Sequence, residues 1–183
     1  MSAPLRLVRR PAPPPGAAAP AVYRTILGAV DGSPFAEEAL DQAFALARVT
    51  GATLVLVGAV APVFTGTDPL PPALHQAATD DMQTYLARTA LRLENLGLTV
   101  DTQLMHGPPA EAILATADRS GADLILLATH GRSGWQQVRF GSVALKVVQA
   151  AQQPVWLVRA GATPAPRLGS GPSVAAPGGA GTA

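Results

Sequence analysis

Short apolar runs alternate with longer amphipathic segments through the middle of the chain. The runs Thr53–Val60 and 123–129 are apolar at consecutive positions, which is typical of parallel strands covered on both faces. Between the runs, apolar and small residues recur three and four positions apart, the period of a helix with one buried face. This alternation predicts a five-stranded, parallel, doubly wound α/β sheet with helices on both faces. The predicted strands are Thr25–Val30, Thr53–Val60, 98–105, 123–129 and 154–159.

The predicted helices begin and end at residues that favour helix termini. Ser33, followed by a proline, supplies an N-cap and a first-turn residue. A long helix is predicted to end at Gly97, with a buried stripe that reaches Leu96. The run 98–105 alternates in part, so we expect it to be an edge strand. The predicted helices are 35–49, the long helix before Gly97, 108–120 and 142–152.

Composition separates this predicted domain, residues 23–159, from two flanking segments. Residues 1–22 contain six prolines and three arginines, residues 160–183 contain four prolines and six glycines, and neither segment contains an acidic residue. Such a composition without apolar periodicity predicts disordered tails. Inert linkers are the simpler interpretation of the tails. The alternative is that the three N-terminal arginines form an electrostatic anchor for an acidic partner.

The charge balance and the absence of cysteine exclude several classes of function. The chain has 13 basic and 12 acidic residues, but the predicted domain alone has nine basic and twelve acidic residues, a net charge of −3. A nucleic-acid platform needs clustered basic residues on the folded part, so this class is excluded. A chain with no cysteine forms neither disulfides nor thiolate metal sites.

The sequence predicts neither a membrane span nor a secretory signal. The longest apolar run, 54–64, is too short to cross a bilayer and is interrupted by Gly58 and Pro62. Arg9-Arg10 is followed by a proline-rich stretch that does not form the apolar helix of a signal peptide. We therefore expect a cytoplasmic protein.

The segment after the fourth predicted strand carries the strongest candidate site. Ligands of doubly wound sheets bind outside the carboxyl ends of the strands. Gly131 and Gly134 permit backbone N–H groups to converge on an anion, and Arg132 adds positive charge. Gly141-Ser142 stands at a predicted helix start, where unpaired N–H groups and the helix dipole favour the same anion. These features predict a polyphosphate site, and an ordinary surface loop before a serine-capped helix is the alternative.

Other chemistry-bearing residues have ordinary alternatives. Asp31, in an Asp-Gly pair after the first strand, is either a turn residue or a ligand-binding residue. His130 is a candidate general base, but no serine or cysteine nucleophile is convincingly placed with it. His75 and His106 have no carboxylate or histidine at metal-ligand spacing, so surface or packing roles are predicted for both.

The residues at three strand ends resemble those of the adenine-nucleotide-binding universal stress proteins. The resemblance rests on Val-Asp-Gly-Ser at 30–33, His-Gly-Pro-Pro at 106–109 and Ala-Thr-His-Gly-Arg-Ser-Gly at 128–134, followed by Gly-Ser-Val at 141–143. It spans essentially residues 23–159. The resemblance implies a Rossmann-like fold of the adenine nucleotide alpha-hydrolase type.

One position departs from the family's binding pattern, which is G-x2-G-x9-G-S/T. Gly131 and Gly141-Ser142 match its second and third elements, but Ala128 stands where the first glycine is expected. An alanine there would cost about 1 kcal/mol if the position needed a positive φ. If the position needs only a small side chain beside a ribose, alanine serves equally well.

The resemblance implies that the matched positions bind ATP together with Mg²⁺ or Mn²⁺. It places Asp31 near the ribose or a metal-linked phosphate, Ala29 at the base and the backbone of Ala59 at the adenine edge. Ala128 and Thr129 would lie along the ribose. The remaining expected nucleotide-binding residues, most of them around the phosphates, are His130, Gly131, Arg132, Ser133, Gly134, Gly141, Ser142 and Val143.

The resemblance also implies a stress-response or regulatory role, with ATP hydrolysis that is slow at most. Family members commonly form homodimers through their last strands. Two alternatives stay open: an interaction module of the same fold that binds no nucleotide, which Ala128 favours, and a nucleotide-dependent hydrolase or transferase that uses Asp31 and His130. The expected dimer residues are Val155, Trp156, Leu157 and Val158.

Overall fold

The computed structural model describes residues 23–62, 64–65, 68–69, 71–129 and 141–159. Its central element is a five-stranded parallel sheet. The predicted parallel, doubly wound α/β architecture is confirmed. The elements in chain order are β1 Thr25–Val30, α1 Pro34–Thr50, β2 Thr53–Val60, β3 Phe64–Thr65, β4 Asp68–Pro69, α2 Pro72–Glu94, β5 Val100–His106, α3 Pro109–Ser120, β6 Leu124–Ala128, α4 Ser142–Ala150 and β7 Val155–Val158.

The strand order β5-β2-β1-β6-β7 places β1 at the centre and β5 and β7 at the edges. In the pairing of β1 with β2, Thr25 lies opposite Thr53 and Val30 lies opposite Gly58. The chain winds outward from β1 through β2 to β5 and then crosses through α3 to β6, on the other side of β1. Because the direction of winding reverses between β1 and β6, a crevice is expected at the carboxyl ends of these two strands.

Helices cover both faces of the sheet because successive residues of a strand point to opposite sides. On one face, Ile26 and Leu54 are fully buried in a core shared with α1 and α2. On the other face, Leu27 and Ile125 are fully buried with α3 and α4. Each such side chain contributes about 1.5–3 kcal/mol by leaving water. The two covered faces explain why the strand sequences are apolar at consecutive positions.

The start of α1 is fixed by the residues that predicted it. The Ser33 side-chain oxygen accepts a hydrogen bond from the backbone N–H of Ala36 at 3.2 Å, and Pro34 is the first helical residue. Gly51, with φ of 71°, ends the helix in the left-handed conformation that glycine adopts without strain. The start of α1 therefore lies directly after β1, beside the crevice.

Gly58 allows α2 to approach the sheet closely. A Cβ atom at this position would lie 2.5 Å from the sulfur of Met82 and 3.3 Å from a methyl carbon of Leu86, both on α2. Carbon and sulfur atoms do not approach to 2.5 Å without displacement, so the glycine creates the space that the methionine fills. Within the described residues, none of the helices is both long enough and apolar enough to cross a membrane.

The structure corrects two of the predicted helix ends. The long helix ends at Glu94, so Leu96 falls outside it and is 41% exposed, although the helical period placed it in the buried stripe. The last helix ends at Ala150, two residues before its predicted end. A two-residue hairpin, β3 with β4, lies within the segment between β2 and α2 that carried no predicted element.

Candidate functional site

A cavity of about 320 Å³ lies at the carboxyl ends of β1, β2 and β6, where the winding of the sheet reverses. On the face of the sheet that α3 and α4 cover, the first residues of these two helices close the cavity. Eight of the residues expected to bind a nucleotide line this cavity. They are Ala29, Asp31, Ala59, Ala128, Thr129, Gly141, Ser142 and Val143.

The inner part of the cavity is apolar and is built from small side chains. Ala29 and Ala59 come from neighbouring strands, and their short side chains leave open the space between the sheet and α3. Val57, Ile113 and Leu127 complete this wall and also belong to the core of the α3 and α4 face. Such a wall suits a flat, largely apolar group such as an aromatic base.

The outer part of the cavity is lined by Thr129 and Gly141, the described residues on either side of positions 130–140. The backbone N–H of Thr129 donates to the carbonyl of Val158 at 2.9 Å, which continues the pairing of β6 with β7. The backbone N–H of Gly141 donates to the carbonyl of Thr129 at 2.6 Å. Thr129 and Gly141 are therefore hydrogen-bonded to each other, and both line the cavity.

The N-terminus of α4 gives this outer part its electrostatic character. Gly141 is the N-cap, with φ of −63° and ψ of 153°, and it has no side chain to accept from the first N–H groups of the helix. Ser142 is the first helical residue rather than the cap, so the serine-capped start is not what the structure shows. The first N–H groups of a helix have no intrahelical acceptor, and together with the helix dipole they favour an anion.

Asp31 combines the two roles that its sequence position left open. Its Oδ1 accepts a hydrogen bond from the backbone N–H of Ser33 at 3.0 Å, which forms the turn between β1 and α1. The residue also lines the cavity. A carboxylate has about four acceptor positions, so the turn hydrogen bond is compatible with acceptance from a ligand hydroxyl as well.

Ala128 occupies a position that does not require glycine. It is the last residue of β6, and none of the described non-glycine residues has a positive φ. The backbone strain that an alanine would suffer at a left-handed position therefore does not arise. The departure from the glycine pattern leaves a small side chain on the cavity wall.

Five of the expected nucleotide-binding residues lie outside the described part of the chain, and their roles stay predictions. They are His130, Gly131, Arg132, Ser133 and Gly134. Among the described residues, no group of three or more histidine, aspartate or glutamate side chains is arranged to hold a metal ion. The expected Mg²⁺ or Mn²⁺ thus has no ready-made protein cage in this part of the structure.

The sequence did not predict several other residues of the cavity wall, although periodicity carried a signal for some of them. Val57 and Leu127 lie two positions before Ala59 and Thr129, so they point to the same face of their strands. Ile113 lies one turn after Pro109 on α3. The other unpredicted wall residues are Val30, Ala36, Pro109 and Ala144.

The fold and the cavity define a class: a doubly wound α/β domain with an apolar, helix-capped ligand cavity at its switch point. The universal stress protein family model matches residues 22–159, and the chain belongs to this family. A universal stress protein of Thermus aquaticus is 38% identical over 144 residues, which are 75% of this chain and 100% of that relative.

Solved structures of similar proteins have the same fold. The universal stress protein UspA from Lactobacillus plantarum superposes with a TM-score of 0.61 at 26% identity, covering 75% of this chain and 98% of that one. A universal stress protein in complex with cAMP gives 0.59 at 24% identity, covering 75% and 97%. One from Archaeoglobus fulgidus in complex with dAMP gives 0.54 at 24% identity, covering 74% and 98%.

Proposed function

We propose that this protein binds ATP, together with Mg²⁺ or Mn²⁺, in the cavity at the switch point of the sheet. The observation that carries the proposal is that eight residues expected from the sequence and its family resemblance, in or next to β1, β2, β6 and α4, line one cavity. The similar structures in complex with cAMP and dAMP support an adenine nucleotide as the ligand class. The volume of the cavity, about 320 Å³, falls within the range of small-molecule sites, about 300–1,000 Å³.

In the proposed complex the base lies against the apolar wall and the phosphates lie at the start of α4. Ala29 and Ala59 leave room for the ring, and the backbone of Ala59 is the proposed partner of the adenine edge. Thr129 and Ala128 border the sugar. Asp31 is the proposed acceptor from a ribose hydroxyl or the residue facing a metal-linked phosphate.

The proposed cation is held mainly by the phosphates. Mg²⁺ is commonly bound through one or two carboxylates, substrate phosphates and water rather than by a cage of protein ligands. Asp31 is the one carboxylate among the described residues of the cavity wall, so it is the proposed protein contribution to such a site. The bound cation would neutralise phosphate charge, and no hydrolytic step is assigned to it.

We further propose a cytoplasmic stress-response or regulatory protein that forms homodimers and hydrolyses ATP slowly at most. Support for the dimer comes from β7, which is an edge strand of the sheet formed by the described residues, and edge strands can pair with another chain. Trp156 in this strand is 43% exposed, an unusual exposure for a tryptophan. The disordered tails stay predictions.

A charge placed at the start of α4 tests the proposal. We expect Ser142→Glu to raise the Kd for ATP at least a hundredfold, because a carboxylate at this position repels the phosphates. The matched control is Gln149→Glu, which adds the same charge to another exposed position of the same helix, about 10 Å further along its axis. Isothermal titration calorimetry of ATP–Mg²⁺ into the full chain measures both variants.

The outcomes separate the proposal from its alternatives. Equal ATP affinity of the two variants would show that α4 does not meet the phosphates. Absence of ATP binding by the parent protein would favour the interaction module that binds no nucleotide. Steady-state ATP turnover that falls by orders of magnitude in His130→Ala would favour the hydrolase or transferase.

A further inference from the structure

Two histidines that are 31 positions apart in the sequence meet on the surface. His75 is the fourth residue of α2, and His106 is the last residue of the edge strand β5. Their ring centroids are 5.5 Å apart and their planes are inclined by 43°. Neither residue lines the cavity proposed for the nucleotide. The structure thus brings together two side chains for which the sequence predicted separate surface or packing roles.

The separation of the two rings matches that of two imidazoles bound to one ion. A Zn–N distance of about 2.0–2.1 Å, tetrahedral angles and a ring centre about 1.2 Å behind each nitrogen place the two centroids about 5.2 Å apart. The observed 5.5 Å lies within a few tenths of an ångström of this value. The separation of the rings is therefore compatible with one nitrogen of each ring binding a shared ion.

Both histidines are carried by backbone that is already fixed. His106 pairs with Val60 in the sheet, and the following residue, Gly107, donates its N–H to the Val60 carbonyl at 3.0 Å. The backbone N–H of His75 donates to the carbonyl of Pro71 at 3.3 Å, and the His75 carbonyl accepts from the Thr79 hydroxyl at 2.9 Å. Little backbone ordering is required for the pair to act as a chelate.

We propose that His75 and His106 together bind one transition-metal ion of the Zn²⁺ class. Neutral imidazole is a preferred ligand of Zn²⁺, Cu²⁺ and Ni²⁺, whereas Mg²⁺ prefers oxygen ligands. The described residues supply two ligands and no third histidine, aspartate or glutamate to the group. Water fills the remaining positions, so the ion exchanges readily and binds more weakly than in a closed four-ligand site.

Metal binding at this pair links two separate elements. The ion would join the first turn of α2 to the carboxyl end of β5. In the sequence these two points are separated by the rest of α2 and by β5 itself. A ligand that binds the folded state and not the unfolded chain raises the melting temperature. Zn²⁺ is therefore expected to raise Tm, and Mg²⁺ at the same concentration is not.

The test uses the full chain, free of any histidine tag and of nucleotide. Calorimetric titration with ZnCl₂ should give one ion per chain, and His75→Asn and His106→Asn should each raise the Kd for Zn²⁺ at least tenfold. His130→Asn is the matched control and should leave that Kd within twofold of the parent value. The metal-free variants should keep the parent's circular dichroism spectrum, since asparagine is a conservative replacement at a surface position.

A second measurement keeps the proposal falsifiable if either variant fails to fold. Electron paramagnetic resonance of the parent protein loaded with one Cu²⁺ should show two coordinating imidazole nitrogens. A single imidazole, an unchanged Kd in either variant of the pair, or loss of Zn²⁺ binding in His130→Asn would each overturn the proposal. Absence of Zn²⁺ binding by the parent at millimolar concentration would overturn it as well.

Discussion

Replacing Gly58 by alanine should destabilise the protein through one identifiable contact. The new Cβ would lie 2.5 Å from the sulfur and 2.9 Å from the γ-carbon of Met82. An ordinary contact needs about 3.5–4.0 Å, so the side chain of Met82 must retreat by about 1 Å. Met82 is 9% exposed and packs in the core between α2 and the sheet, so this retreat disturbs close-packed neighbours.

The expected loss is about 1–3 kcal/mol in the free energy of unfolding, as for other overpacked cores. For a domain of this size, 1 kcal/mol corresponds to a change of about 3–4 °C in Tm, so the variant should melt about 3–12 °C below the parent. The matched control is Gly28→Ala in β1. A Cβ at Gly28 meets its nearest atom, on Leu56, at an ordinary 3.5 Å, so this alanine should change stability by less than about 1 kcal/mol in either direction.

Urea unfolding of Gly58→Ala, Met82→Ala and the double variant separates the proposed contact from other effects. Met82→Ala alone leaves a cavity and should cost about 2–5 kcal/mol. In the double variant the clash is absent, so the combined loss should fall short of the sum by at least about 1 kcal/mol. Additivity within about 0.5 kcal/mol would refute the reasoning, because distant independent sites behave in that way. ATP affinity should be unchanged in Gly58→Ala, because this position faces α2 whereas Ala59 faces the cavity.

Three further changes have specific expected outcomes. Ala128→Gly should leave the Kd for ATP within threefold and lower stability by about 0.5–1 kcal/mol, because the position is ordinary strand; a tenfold gain in affinity by calorimetry would show that the bound state needs glycine. Ser33→Ala should cost about 1 kcal/mol in urea unfolding, since the N-cap of α1 is lost; an unchanged midpoint would contradict this role. Burial, reinforced by the hydrogen bond to Glu37, raises the pKa of Tyr85 above its ordinary value. As the pH rises, the unfolded chain therefore loses this proton before the folded protein does, so the contribution of Tyr85 to the free energy of unfolding is intact below pH 10 and declines above it. Tyr85→Phe should remove that decline from unfolding curves recorded between pH 9 and 11. An unaltered decline would exclude Tyr85 as its source.

Local sequence signals predicted the elements of the fold because neighbouring residues determine them. Ser33 predicted the start of α1 through a cap that is satisfied three residues later. The unalternating run of β2 predicted a strand covered on both sides, and its bounds are those that were predicted. Leu96 shows where the local signal ends: the helical period continues in the sequence after the helix itself has stopped at Glu94.

The cavity was predictable in part, because strand ends of a parallel sheet converge at one edge whatever the residues between them. Asp31, Thr129 and Ser142 were expected there as the residues that follow or begin elements, and the structure brings them to one wall. The contact of His75 with His106 was not predictable from their spacing in the sequence, because it depends on how α2 packs along β5. Residues that meet through the packing of a helix on an edge strand leave no periodic signal in the sequence.

The cavity also explains how a weakly charged domain is suited to hold a charged ligand. Its described walls carry one carboxylate, Asp31, and no basic side chain, so in the proposed complex these walls would attract the phosphates through backbone groups at the start of α4. Ala128, where the family pattern has glycine, adopts ordinary strand backbone and leaves only a small side chain on the wall. It follows that added bulk should damage ATP binding more than loss of charge does. Ala59→Phe fills the apolar part of the cavity and should abolish ATP binding at accessible concentrations. Asp31→Asn keeps an oxygen acceptor for the turn and should weaken ATP binding only about tenfold, through the loss of a charge-assisted hydrogen bond. Calorimetry on the two variants, each checked for an unaltered circular dichroism spectrum, measures this order, and a greater loss in Asp31→Asn than in Ala59→Phe would show that the carboxylate rather than the shape of the cavity dominates binding.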